Sequence, residues 1–242
     1  MNQYRSGFLS NVPPMVKYIL VINVAMLLIT RVTGDFMYSH FAMYYPGSPL
    51  FQPHQLITHI FMHGGFFHLV FNMYALWLFG CSLEYQWRSK KFLLYYMLTG
   101  VGAALFYAAV LWLQVRHVEA AINPEMLAQM KNLLHEGHIL TNVSSEVNQW
   151  NAIMNTPMVG ASGAVYGVLL AFGMLYPNTQ LRFIFPPVAM KAKWVVVLYG
   201  ALELVFGFTD SGGNIAHFAH VGGMLFGFIL IKYWQKKGRM YS

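Results

Sequence analysis

The sequence predicts an all-α polytopic membrane protein, a bundle of six transmembrane helices with an irregular, membrane-embedded first outer loop. Three observations carry this expectation. Of the 242 residues, 57% are hydrophobic and only 10% charged, against about 25% charged in ordinary soluble domains. Six apolar stretches approach the ~20 residues that a spanning helix needs. Basic residues gather on alternate sides of those stretches, as orientation by positive charge requires.

The stretches run near 16–32, 68–85, 92–115, 158–176, 194–208 and 215–234, the fifth being short. With the N-terminus inside, the inner segments hold Arg5, Lys17, Arg88, Lys90, Lys91, Arg182, Lys191, Lys193, Lys232, Lys236, Lys237 and Arg239. The outer segments hold Arg31, Arg116 and Lys131, so the split is twelve against three. One span more or fewer scrambles it, and both termini are therefore expected in the cytoplasm. The first apolar run is long and lacks a small-residue cleavage site, so it reads as a span and not as a cleavable signal. Residues 1–242 read as a single membrane domain, with an outer insertion at about 116–157 and a short cytoplasmic tail at 235–242.

A net charge of +7 would suggest nucleic acid if the basic residues formed a patch. Spread over alternating loops, they point to the lipid bilayer, and no nucleic-acid partner is expected. The single cysteine, Cys81, excludes an internal disulfide and reads as a small apolar residue of a span.

Two outer segments stand apart. Residues 34–67 carry Pro46, Pro53, His54, His59, His63 and the pair Gly64–Gly65. They are half apolar and too broken to span, so they read as an irregular hairpin lying in the interface or packed on protein. The insertion is polar, and its stretch Pro124–His135 reads as a short amphipathic helix.

Polar side chains inside spans are costly, a mid-helix charge costing roughly 2.5–3.5 kcal/mol on insertion scales. His68 and Asn72 are four apart and share one face of the second span. Ser162 opens the fourth within Gly160-Ala161-Ser162-Gly163, and His217 and His220 open the sixth. The topology puts all of them at the outer ends of their helices. Gly163-x-x-x-Gly167 follows the serine and Gly223-x-x-x-Gly227 follows the histidine. Small residues four apart allow close helix approach, so packing of these two faces would bring Ser162 to His220. Imidazole can take the proton of a weakly nucleophilic serine near neutral pH and later protonate a leaving amine. The oxyanion then needs preorganised donors. The candidates are the backbone N–H groups of Ser162 and Ala161, at a helix start where such groups are unpaired, and the side chains of His68 and Asn72.

The combination His59-x-x-x-His63-x-x-x-x-His68-x-x-x-Asn72, then Gly160-Ala161-Ser162-Gly163 with Tyr166, then Ala219-His220-Val221-Gly222-Gly223 resembles the rhomboid proteases in order, spacing and span count. The Gly80-x-x-x-Glu84 pattern after the second span is also similar to that family. The resemblance implies a rhomboid bundle and a Ser–His dyad in a water-filled cavity, with Ser162 as nucleophile and His220 as base. It implies that His68 and Asn72 help hold the oxyanion and that the Tyr166 ring stacks on His220. It also implies transmembrane protein substrates, cut in or beside the membrane at small residues in a stretch that unwinds easily. Where many members have Trp-Arg before the first loop histidine, this sequence has His54-Gln55, which puts that pair's loop-anchoring role in doubt. The insertion at 116–157 is also longer than in the minimal bacterial form.

Other readings stand beside these. His59 and His63 are read as loop residues bonding backbone, with a metal site at His63 and His68 as the alternative. His217 is placed at the cavity mouth. Glu203, in the outer half of the fifth span, is a structural carboxyl or orients His217 or His220 as the third group of a triad does. Glu84 and Arg88 read as an ion pair. The competing functions are a catalytically silent rhomboid-like protein that binds transmembrane helices, and a histidine-rich metal or haem protein. No cofactor is expected, because a Ser–His reaction uses only side chains, backbone donors and water. The lack of an Arg-rich, acidic-poor presequence favours a bacterial cytoplasmic membrane.

Overall fold

A computed structural model describes residues 11–138, 143–182, 188–209 and 217–240. Arg5 of the charge tally, residues 139–142 of the insertion, residues 215–216 opening the sixth apolar stretch and the last two residues of the tail lie outside the described residues. Helix α1 is Pro14–Thr33. Proline suits its first position, because that N–H has no intrahelical partner. The next donors are satisfied from elsewhere: the buried Glu84 carboxylate accepts the N–H of Met15 at 2.8 Å and of Val16 at 2.7 Å. An anion at a helix N-terminus is also favoured by the helix dipole. Glu84 takes a third bond from the Ser89 hydroxyl at 2.5 Å. It therefore caps α1 instead of pairing with Arg88, as its i+4 spacing had suggested.

The segment 34–67 is more helical than its prolines suggest. It contains α2, Asp35–Phe41, and the short α3, Gln55–Thr58, which runs into a 3₁₀ turn at His59–Phe61. Helix α4, Phe66–Ala75, passes through a π turn, Leu76–Gly80, into α5, Cys81–Ala121. A non-helical residue, Arg88 at φ 64°, breaks α5 between the second and third apolar stretches. The continuous stretch Phe66–Ala121 has 56 residues, roughly 84 Å of helix at 1.5 Å per residue. That is more than twice the ~30 Å hydrocarbon core, and the break divides it.

Beyond the expected end at 115, α5 carries on and packs with α6, Pro124–His135, and α7, Ser145–Asn155. Val115, Val118, Met130, Leu134, Val147 and Trp150 form a separate apolar cluster there. The α6 helix matches its amphipathic pattern and is capped by Asn123 Oδ1, which accepts the Glu125 N–H at 2.9 Å. The α7 helix, capped by Ser144, has no counterpart in the sequence reading.

Helix α8, Ser162–Leu175, packs against α5, α9 (Ala192–Thr209) and α10 (His217–Lys236). Between α8 and α9 lies an antiparallel pair, β1 (Gln180–Arg182) with β2 (Ala189–Lys191), in register Leu181↔Met190. The all-α expectation did not include it. By length and composition, α1, the Phe66–Ala121 stretch and α9 are long and apolar enough to cross a membrane. Helix α8 has only 14 residues, and polar residues such as His217, His220, Lys232 and Gln235 dilute α10. Outward-facing Leu28, Val32, Phe67, Phe71 and Phe208 are exposed, an apolar surface suited to lipid.

Candidate active site

The chain enters α8 through a segment pinned to the loop between α1 and α4. Met43 and Met158 exchange backbone bonds of 2.9 and 2.7 Å, and the Gly160 N–H donates to the His59 carbonyl at 3.0 Å. Gly160 has φ 137°, a conformation other residues rarely adopt. A Cβ there would sit 2.9 Å from His68 Cε1. The glycine thus permits both the turn and the approach of the His68 ring to the start of α8. Ala161 is fully buried at the N-cap, and Ser162 is the first helical residue.

The two small-residue faces meet. A methyl group on Gly223 would overlap the Gly163 carbonyl, and one on Gly227 would lie 3.4 Å from Gly167 Cα. This contact sets Ser162 Oγ 2.7 Å from His220 Nε2. The Tyr166 ring stacks on the His220 ring, with centroids 4.3 Å apart and planes inclined by 7°. The Tyr166 hydroxyl donates to Glu203 Oε1 on α9. The other carboxylate oxygen, Oε2, lies 2.6 Å from His217 Nδ1 and 2.9 Å from His220 Nδ1. The first of these has hydrogen-bond alignment. The second is close, but lies off the hydrogen-bond line.

Asn72 Nδ2 donates to the His68 carbonyl at 2.9 Å, which engages one of its two N–H groups. His63 is fully buried and meets the His68 ring edge-on at 5.1 Å. His63 lies beside the backbone of Phe61 in the same loop. His59 Nδ1 donates to the Gln55 carbonyl at 2.8 Å. Burial favours the neutral form of both loop imidazoles and lowers their pKa values. His217 is buried, with its Nδ1 bonded to Glu203.

Glu203, His217 and His220 are the group of metal-ligating types that comes together among the described residues, with donor atoms within 4.8 Å of one another. Tetrahedral zinc with bonds of 2.0–2.1 Å separates its ligands by about 3.3 Å. The contacts of 2.6 and 2.9 Å are shorter than that, and the first is a hydrogen bond between the two side chains.

The His54-Gln55 pair anchors the loop after all. Gln55 is fully buried. Its Oε1 accepts the N–H groups of Tyr44 and Gln52 at 3.3 and 3.1 Å, and its Nε2 donates to the carbonyls of Ser39 and Leu50 at 3.2 and 3.1 Å. His54 Nε2 donates to the His40 carbonyl at 2.6 Å. The His54-Gln55 pair thus fastens the loop by its own contacts.

A family model for the rhomboid domain matches residues 50–120 and 127–236. Rhomboid protein 1, mitochondrial, of Saccharomyces cerevisiae is 30% identical over 182 residues, 75% of this chain and 42% of that protein. Rhomboid protease GluP of Bacillus subtilis is 29% identical over 174 residues, 72% of this chain and 24% of that one. Rhomboid protease GlpG of Yersinia pestis is 22% identical over 238 residues, 97% and 67% of the two chains. The chain thus spans less than half the length of the first two relatives. The family match over both blocks, together with the apolar helices, makes this an integral membrane protein that belongs to the rhomboid family.

Proposed function

We propose that the protein is an intramembrane serine endopeptidase that cuts transmembrane protein substrates within or next to their membrane segment, using Ser162 and His220. The observation that carries this reading is the 2.7 Å contact between Ser162 Oγ and His220 Nε2, made at the N-terminal ends of two closely packed helices. The protease relatives GluP and GlpG support it. In the reaction, Ser162 Oγ attacks the scissile carbonyl carbon while His220 Nε2 takes its proton. The tetrahedral adduct then expels the amine, which receives that proton. Water, deprotonated in turn by His220, hydrolyses the acyl-enzyme and regenerates Ser162. The backbone N–H groups of Ala161 and Ser162, with His68 and the second N–H of Asn72, are the donors proposed for the oxyanion. Gly160, Gly163 and Gly223 set the approach, Tyr166 carries the His220 ring, and His63 and His217 support the site from behind.

The reading includes six spans with both termini in the cytoplasm of a bacterium and the site toward the outer side. The twelve-to-three division of basic residues supports this orientation. A helical peptide bond is sterically hidden, so the substrate must unwind to reach Ser162, and helix-breaking residues near the cut promote cleavage.

The test is cleavage of a transmembrane reporter by purified wild type, Ser162→Ala and His220→Ala. Activity in wild type that is lost by a factor of at least about 10³ in each folded variant is the expected result. Undiminished cutting by Ser162→Ala would overturn the nucleophile. A wild type that neither cuts reporters nor reacts with a fluorophosphonate, but retains transmembrane helices, would favour a catalytically silent helix-binding protein.

A further inference from the structure

A dyad needs only a nucleophile and a base, yet this site holds a third group. The Glu203 carboxylate reaches from α9 into the space behind His220, and three side chains from two other helices converge on it. Its Oε1 accepts from the Tyr166 hydroxyl, and Tyr166 is also the ring on which His220 stacks. Its Oε2 lies 2.6 Å from His217 Nδ1 and 2.9 Å from His220 Nδ1. Glu203 and both histidines are buried. A carboxylate so enclosed is expensive unless donors surround it, and here all the donors belong to the imidazole and phenol groups around the dyad.

The arrangement has a chemical consequence. A neutral imidazole carries one proton, and only one nitrogen can then accept. For His220 to take the proton of Ser162, Nε2 must hold the lone pair and Nδ1 the hydrogen. His220 Nδ1 has no other hydrogen-bond partner among the described residues, so the nearby Oε2 is the group that can select this tautomer. The same oxygen faces the imidazolium that forms once Ser162 has attacked, when charge complementarity matters most.

We propose that Glu203 is a positioning residue of the reaction, the third member of a Ser162–His220–Glu203 relay of hydrogen bonds, with Tyr166 and His217 holding its carboxylate in place. This rests on the assignment of Ser162 and His220 as the reacting pair. Glu203 touches neither substrate nor the reacting atoms. It sets which nitrogen of His220 is free and steadies the ring when it becomes charged.

The test compares wild type, Glu203→Gln, Glu203→Asp and Ser162→Ala on a transmembrane reporter, with kcat and KM resolved, beside the rate of fluorophosphonate labelling and the thermal unfolding midpoint. Glutamine keeps the shape but presents an amide with no net charge, and can meet Nδ1–H with an N–H. The expected result is a kcat at least 100-fold below wild type with KM within threefold, labelling slowed in parallel, and an unchanged midpoint. Aspartate restores the charge and should recover at least tenfold of the loss. A Glu203→Gln enzyme within threefold of wild type overturns the proposal and leaves the dyad standing. A loss that tracks a lowered midpoint, with aspartate no better than glutamine, also overturns it and makes Glu203 a packing group. A wild type that neither cleaves nor labels removes the dyad reading, and this inference with it.

Discussion

Gln55 and Glu84 show how single buried polar groups hold the parts around the site. Each satisfies backbone groups that the local chain leaves open: Gln55 within the loop between α1 and α4 and Glu84 at the start of α1. The loop matters to the site because its carbonyl at His59 and its strand-like pair at Met43 hold the segment that leads into Ser162. Replacing Gln55 with leucine removes four bonds and leaves their partners unpaired inside the protein. With a net worth of about 0.5–1.5 kcal/mol per bond, the four together give an expected cost of about 2–6 kcal/mol. It should be read as a lowered unfolding midpoint in detergent, with a parallel loss of reporter cleavage. An unchanged midpoint would mean that water replaces the side chain and that the loop is held by its other contacts.

The α8–α10 contact governs the site at the scale of elements. The backbone of Gly163 stands where a side chain on Gly223 would have to be, and Ser162 and His220 sit within three residues of that contact. A methyl group at Gly223 must push the helices apart. Overpacking of this kind costs about 1–3 kcal/mol. The separation also stretches the 2.7 Å contact of Ser162 with His220. Gly223→Ala should therefore lose at least about tenfold in reporter cleavage, since a misplacement of 1 Å costs on the order of 10²-fold. Gly65→Ala is the matched control, because that glycine is extended at φ 176° with nothing within 4 Å of the added carbon. It should stay within about 0.5 kcal/mol of wild type. Equal effects from the two substitutions would show that the helix contact does not set the site.

The molecule as a whole combines an apolar outer surface with a buried polar centre and an additional helical cap of α6 and α7. Its proposed orientation makes a direct prediction. With Cys81 replaced by serine, cysteines at the exposed positions Glu136, Lys90 and Lys237 report on the two sides. A membrane-impermeant maleimide should label Glu136→Cys in intact bacterial cells, and Lys90→Cys and Lys237→Cys only after the membrane is opened. The reverse pattern would invert the topology and place the site on the inner side. Labelling of Lys90→Cys and Lys237→Cys on opposite sides would remove the even number of spans between them.

What the sequence determined by itself was whatever depends on neighbours along the chain. Apolar stretches of helical length give α1, the divided α4–α5 stretch and α9, because hydrophobic burial and internal hydrogen bonding of a helix are both local in sequence. The pattern at Pro124–His135 gives α6, and the two G-x-x-x-G faces announce that α8 and α10 approach closely. Tertiary structure alone decided what depends on which helix lies beside which. It took Glu84 from its i+4 neighbour Arg88 to the N-terminus of α1. It buried Gln55, and it joined His217 to Glu203. It also brought one carboxylate of α9 to two histidines 14 and 17 positions further along the chain. A buried polar group must find partners wherever the packing offers them, and in a bundle those partners stand on other helices, at distances that spacing along the chain does not record.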